Sequence, residues 1–344
     1  MLNILYVTPA KGRSGGVRQL LYNIDTIGSL GHKVYLCCHR DALILKELPS
    51  NIPVFYLPKS GYETLKLFSN LVKNYHIDVV HCFHSKLYKL FLLIKFFSPN
   101  FKLFFNRGVI FKPGSFPLLW LPQLDGIICN SIAAAHTLKK YLVSEKKIHV
   151  VYNAVHIPDV VKTTPDKFTI TYVGNKRPYK GVDVFLKSIA QVFQRINASK
   201  VRVNVAGIAS NNLFKQYVNT NVLSRINFLG GMEHKNILKV LSSSNILVIT
   251  SRQESLPNVL LEAYSLGLAV IATKTGGIPE ILKDKINGFL CPIEDVQCIA
   301  RRIVYLYDNP EVADQMGKYN LIYAKKKFNP QIKAKKLLSI YNSN

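Results

Sequence analysis

The sequence predicts an α/β protein built from two doubly wound parallel-sheet domains, and three observations carry that reading. The chain is 344 residues long, more than twice the usual domain size. Short apolar, β-branched runs recur along it, each followed by a segment of helical periodicity. The runs are almost continuously apolar, as strands covered on both faces must be, and the intervening helices supply the crossovers.

In order, the first half offers "LNILYVT", "HKVYLCCH", "DVVHCFH", "KLFFNRGV", "DGIICNS" and "IHVVYNAV" as strands. The second half offers "FTITYVGN", "VRVNVAG", "INFLG", "NILVITS", "AVIATK" and "GFLCP". Between them "HIPDVVKTTPDKFTI" (156–170) has two prolines and no clear period, which marks a linker. The expected domains are therefore 1–160 and 161–325. A basic closing helix, broken near Pro330, follows over 326–344. In such sheets ligands bind beyond the carboxyl ends of the strands, so the loops after these runs are where a site belongs.

Composition narrows the function. Forty-five basic residues against 20 acidic ones give a net charge of +25. The excess is dispersed: 20 basic and 8 acidic residues lie in 1–165, and 25 and 12 in the remainder. Nucleic acid, anionic lipid and phosphorylated ligands all suit that charge, and a lysine-biased background composition is the plain alternative. No basic motif with interleaved stacking aromatics appears, which speaks against nucleic acid. The six cysteines (37, 38, 82, 129, 291, 298) include no C-x-x-C pair and no metal-ligand spacing. Most sit in apolar, strand-like surroundings, which suits small core residues in a reducing compartment. The start "MLNILYVTPAKG" lacks the features of a secretion signal, and no run of 18 apolar residues predicts a membrane span.

"ESLPNVLLEA" (254–263) places two scarce carboxylates, Glu254 and Glu262, around a proline after the strand "NILVITS". Pro257 suits a first helical residue, with Ser255 or Glu254 as cap. The backbone N–H groups opening that helix, within 257–260, would then face the crevice with the positive end of the helix dipole behind them, an arrangement that attracts phosphate. Ionised carboxylates only accept hydrogen bonds, so both glutamates suit the hydroxyls of a ribose or sugar ring. A capping acid plus a solvated helix glutamate is the alternative. "TKTGGIPEIL" (273–282) and "PAKGRSGGVRQLL" (9–21) repeat the glycine-rich strand-to-helix turn, and "YVGNKRPYKGVD" (172–183) adds Arg177 and Lys180. Together they point to a diphosphate ligand.

The stretch from Gly174 to Gly288 resembles the nucleotide-binding half of the retaining GT-B glycosyltransferases of family four. Glu254 and Glu262 match its E-x7-E signature, Lys180–Gly181 its phosphate-binding lysine, and Gly276–Gly277 with Pro279–Glu280 its late glycine turn. Gly15–Gly16–Val17 and "YNAV" (152–155) also fit, so the resemblance covers almost the whole chain. It implies a GT-B fold, two Rossmann-like domains facing across a cleft, the first binding the acceptor and the second a nucleotide-sugar, with the closing helix returning to the first. It implies that Glu262 binds the ribose and Glu254 the transferred sugar. Lys180, with Arg177 and backbone groups around Leu256, Pro257, Asn258 and Val259, would hold the diphosphate, with Gly174 and Gly16 beside it. Two departures stand out. Asn175 occupies the place where many relatives carry arginine, leaving Arg177 as the candidate replacement. "FFNRGV" lacks the usual sugar-side histidine, leaving Arg107 or Asn106.

Breaking a sugar–phosphate bond builds charge on the leaving diphosphate, which Lys180, Arg177 and helix N-termini would stabilise. No D-x-D pair occurs, so no metal and no cofactor is expected; a UDP- or GDP-sugar is the donor substrate. The resemblance implies retention by front-face attack, with Glu254 positioning the sugar. His81 and His84 read as a metal pair, a general base or packed residues. Asn153 and Asn130–Ser131 line a cleft or cap turns. Trp120 in "SFPLLWLP" docks an acceptor or a membrane, or is core. The helical segments 65–75 and 86–97 carry apolar faces with interspersed lysines, either buried or resting on anionic lipid.

The expected function is transfer of a sugar to a lipid-linked or surface-glycan acceptor of lipopolysaccharide or capsule type, in the cytoplasm or peripherally on the inner membrane. The alternatives are a soluble acceptor, a silent nucleotide-sugar binder, or a basic nucleic-acid-binding protein. An NAD-dependent oxidoreductase fits poorly, because no G-x-G-x-x-G follows the first strand.

Overall fold

The structure, a computed structural model, describes residues 1–343 apart from 85–86, 113–115, 161 and 211. The chain divides into two compact units, Met1–Ala154 with Pro330–Asn344, and Val155–Asn329.

The first unit contains β1 (Asn3–Val7), α1 (Gly15–Ser29), β2 (Lys33–Cys38), β3 (Val54–Tyr56), α2 (Gly61–Asn74), β4 (Val79–Cys82), α3 (Tyr88–Phe97), β5 (Lys102–Arg107), β6 (Gly126–Cys129), α4 (Ile132–Lys139) and β7 (Ile148–Val150). Its parallel sheet runs β3-β2-β1-β4-β5-β6-β7. The strand alternation sorts its two faces. Leu5 and Val7 pack with Phe68 of α2, Phe91 of α3 and Leu138 of α4. Ile4 and Tyr6 pack with Leu20 and Ile24 of α1. The apolar stripe of α2 is therefore core, with Phe68, Leu71 and Val72 all buried. The edge strand β3 was not among the expected runs. Its three residues lie between Pro53 and Pro58, too short and too exposed to show an apolar pattern.

The second unit contains β8 (Phe168–Val173), α5 (Val182–Phe193), β9 (Val201–Ala206), α6 (Thr220–Leu223), β10 (Ile226–Gly230), α7 (His234–Ser242), β11 (Ile246–Ile249), α8 (Asn258–Ser265), β12 (Ala269–Thr273), α9 (Ile278–Ile281), β13 (Phe289–Cys291), α10 (Val296–Asp308) and α11 (Pro310–Lys327). Its parallel sheet runs β10-β9-β8-β11-β12-β13. Both sheets thus share one winding order, 3-2-1-4-5-6, with an extra strand on the first. The order reverses between β1 and β4 in one unit and between β8 and β11 in the other. Those switch points are where such sheets open a crevice for ligand.

The division falls at 154/155, six residues before the expected boundary, because the linker docks on the second unit. Val155 N–H donates to Phe328 O (2.8 Å) and Thr163 N–H to Ser242 O (3.0 Å). The last helix, α12 (Pro330–Asn342), belongs to the first unit, where Leu337 and Tyr341 join the face that holds Ile4 and Tyr6. The return thus begins at Pro330 rather than at 326. Two of the six cysteines are not the reduced core thiols that the sequence suggested. Cys291, closing β13, and Cys298, in the first turn of α10, form a disulfide, with their Cα atoms 5.8 Å apart. The tight strand-to-helix turn brings the two together. Cys37, Cys38, Cys82 and Cys129 are free and buried, as expected. Among the described residues no helix is long and apolar enough to cross a membrane.

Candidate active site

At the switch point of the second sheet, the loop after β8 is seated against the end of β11. A Cβ on Gly174 would fall 2.5 Å from the Tyr172 hydroxyl, so glycine there leaves room for that phenol. The phenol donates to Lys180 O at 3.1 Å. Gly181 adopts a left-handed φ of +66°, and a Cβ would lie 2.0 Å from Thr250 O. Thr250 Oγ1 donates to Gly181 O at 2.6 Å. These contacts aim the Lys180 ammonium at Glu254, and the two form an ion pair. Ser251 Oγ donates to the same carboxylate oxygen at 3.1 Å.

The Glu254 backbone is fixed from behind. Gly276 has φ +52°, and a Cβ there would sit 1.5 Å from Glu254 O. The next N–H, of Gly277, donates to Ser255 O at 2.6 Å. The glycine pair at 276–277 therefore serves close backbone approach. Helix α9, which follows it, is only four residues long. The turn that opens it braces the Glu254 backbone.

Helix α8 opens at Asn258, so Pro257 is the N-cap residue with extended geometry (φ −72°, ψ 130°) instead of the first helical residue. The N-cap residue itself, Pro257, makes no side-chain capping hydrogen bond. Proline has no N–H to offer, so the first N–H groups of the helix are those of Asn258 and Val259. Leu260 N–H already donates to Pro257 O (3.2 Å), and Leu256 is buried. One turn in, Glu262 is buried and pairs with Nε2 of His234 at 2.9 Å. His234 opens α7 and escaped the sequence reading, because nothing local links it to a residue 28 positions away.

Arg252 was also missed. Its guanidinium forks onto both oxygens of Asp183 (2.9 and 2.7 Å). It also reaches Pro178 O at 2.6 Å and Glu294 at 2.7 Å. Its backbone N–H donates to Tyr179 O at 2.8 Å. Arg252 thus clamps the segment carrying Lys180 to the segment carrying Glu254. Burial opposes ionisation of Asp183, but the Arg252 hydrogen bonds and charge outweigh it and hold the carboxyl below its usual range.

Arg177 lies in an exposed stretch, its guanidinium 3.3 Å from the Tyr179 hydroxyl. In the first unit, Gly16 lies in the first turn of α1, which Ser14 caps by accepting from Val17 N–H at 3.3 Å. His81 is fully buried beneath α12, with Nδ1 2.6 Å from the Tyr341 hydroxyl. Burial, helped by the Lys333 charge, lowers its pKa to about 3. Arg107 is buried as well and donates to Phe111 O. Asn153 is buried beside Ala154, whose backbone is bound at both ends by the Gln19 amide, each contact 2.8 Å. Ser131 caps α4 by accepting from Ala134 N–H at 3.1 Å. Among the described residues no group of three or more His, Cys, Asp or Glu could hold a metal ion.

Two similar α/β units, with an E-x7-E pair and a lysine gathered at one switch point, define a GT-B-type protein. Residues 156–321 match the family Glycosyl transferases group 1, and residues 13–157 match Glycosyltransferase Family 4. The chain belongs to this glycosyltransferase family. It is similar to the phosphatidylinositol N-acetylglucosaminyltransferase gpi3 subunit of Schizosaccharomyces pombe, 25% identical over 82% of this chain and 68% of that protein. It is also similar to the N-acetyl-alpha-D-glucosaminyl L-malate synthase of Bacillus anthracis, 26% identical over 51% of this chain and 44% of that one. Its fold matches Anabaena HepE, solved in complex with UDP and glucose, with a TM-score of 0.83 at 19% identity over the full length of both chains.

Proposed function

We propose that this glycosyltransferase takes a sugar from a UDP- or GDP-sugar and transfers it, with retention and without a divalent metal, to a lipid-linked or surface-glycan acceptor. The observation that carries the reading is the Lys180–Glu254 pair at the switch point of the second sheet, beside the helix that bears Glu262. In this account the incoming diphosphate takes Lys180 from Glu254. The released carboxylate then accepts from the sugar hydroxyls. Glu262, oriented by His234, accepts from the ribose, and the N–H groups of Asn258 and Val259 face the phosphates.

As the sugar–phosphate bond lengthens, charge gathers on the diphosphate, and Lys180 stabilises it more than in the ground state. The leaving phosphate takes the acceptor proton during front-face attack. Arg177 is assigned to the outer edge of the diphosphate, and Gly16 to its approach from the first unit. Arg107, His81 and Asn153, all buried, are assigned to positioning acceptor-side loops. The lipid acceptor draws support from the S. pombe relative, a phosphatidylinositol N-acetylglucosaminyltransferase subunit. The B. anthracis relative, whose acceptor is malate, favours a soluble acceptor as the second reading.

A thermal-shift panel of UDP, GDP, ADP and CMP with their common sugar conjugates tests the donor assignment on wild type and Glu262→Ala. The expected result is stabilisation by one uridine or guanosine diphosphate species, lost in the variant. No response to any nucleotide overturns the reading.

A further inference from the structure

The first unit presents a face that donor chemistry does not use. Trp120, the single tryptophan of the chain, is 48% exposed, and its indole N–H donates to Tyr141 O at 2.9 Å. Leu142, next to Tyr141, is 82% exposed and has a left-handed φ of +56°. A leucine rarely occupies that region, because its Cβ crowds the backbone. Here the strained turn lifts a bare apolar side chain into solvent. Lys147 Nζ donates to Leu121 O at 2.5 Å and Trp120 O at 3.3 Å, so the two segments form one face. Residues 110–148 hold Lys112, Lys139, Lys140, Lys146 and Lys147 against only Asp125 and Glu145, and Glu145 pairs with Lys139 at 2.7 Å.

We propose that this face, with Trp120, Leu121 and Leu142 at its tip and Lys112, Lys140 and Lys146 around it, is the surface on which the protein rests on an anionic bilayer. The proposal deepens the lipid-acceptor reading and rests on it. Tryptophan suits the bilayer interface, where its ring is shielded and its N–H satisfied. Lysines around an apolar tip match anionic headgroups. Of the two helical faces that the sequence offered, the apolar stripe of α2 is buried, while α3 exposes Phe96 and Phe97 and is the rival contact that the test below separates.

The lone tryptophan makes the test direct. The full chain is mixed with vesicles of phosphatidylcholine alone or with added phosphatidylglycerol, and sedimentation and tryptophan emission are read together. Binding is expected only with phosphatidylglycerol, with a blue shift in emission and loss at high salt. Leu142→Asn places a residue tolerant of left-handed geometry at the turn. It should keep or raise the Tm while lowering partitioning several-fold. Lys140→Gln with Lys146→Gln should lower partitioning roughly twenty-five-fold, at about fivefold per charge.

Vesicle binding with unchanged emission would place the contact elsewhere, such as at the exposed Phe96–Phe97 of α3, and overturn the proposal while leaving the membrane reading intact. A blue shift that tracks protein concentration without vesicles would make the face a protein interface and overturn it as well. Absence of vesicle binding by a chain that still binds UDP or GDP overturns the membrane reading together with this face, but not the donor site.

Discussion

Lys180 and Glu254 lie 74 residues apart and meet as an ion pair across the point where the second sheet reverses its strand order. Each supplies the other's counter-charge in a partly enclosed place, with side-chain exposures of 22% and 12%. A diphosphate would exchange one anion for another at the ammonium, so the pair keeps the lysine aimed before substrate arrives.

Lys180→Ala should therefore lower kcat by about a hundredfold to a thousandfold, since it removes a cation facing developing negative charge. Steady-state rates on the donor found by the thermal panel would show it. Lys180→Arg, which keeps the charge, should recover part of the loss.

Gly276→Ala tests the brace behind Glu254. A Cβ there would meet Glu254 O at 1.5 Å in a left-handed backbone, so the loop must move. Urea unfolding should show a loss of roughly 2–4 kcal/mol. Gly231→Ala, where a Cβ meets nothing within 4 Å, should change stability by about 0.5 kcal/mol or less.

Arg252→Lys should behave as a disruptive change despite keeping its charge. Lysine cannot reproduce the two-pronged bond to Asp183 or reach Pro178 O at the same time. The expected result is a raised KM for the donor with a smaller change in kcat, as the Lys180 segment loosens. Asp183→Asn should shift KM in the same direction.

The buried His81 predicts acid sensitivity of the first unit. Its folded pKa is depressed to about 3, against an ordinary value of 6.5 in the unfolded chain. Between those values only the unfolded chain binds the proton. Stability is therefore intact above pH 6.5 and falls as pH drops, at up to about 1.4 kcal/mol per pH unit. Urea titrations from pH 7 to pH 4 should show a shallower loss for His81→Gln than for wild type.

The sheets and the clustering of Lys180, Glu254 and Glu262 were legible in the sequence for a physical reason. Fully covered parallel strands must be continuously apolar, and a glycine–proline helix start after a strand leaves a local mark. Glu254, Glu262 and Lys180 carry such marks. His234 and Arg252 do not, because their partners lie 28 and 69 positions away and only the sheet order brings them together. The edge strand Val54–Tyr56 buries too little to show a pattern, and the Cys291–Cys298 bridge depends on a turn angle that spacing does not encode. The offset at Pro257 has a similar origin: proline suits both the N-cap and the first helical position, and only the backbone torsions decide between them.

Whether Lys180, Glu254 and Glu262 together hold one nucleotide-sugar is tested most directly by a crystal structure of the chain with the nucleotide that stabilises it. Phosphate oxygens are expected within hydrogen-bond distance of Lys180 Nζ, ribose hydroxyls on Glu262, and Glu254 turned away from Lys180. A nucleotide bound elsewhere, with the Lys180–Glu254 pair undisturbed, would contradict that shared hold.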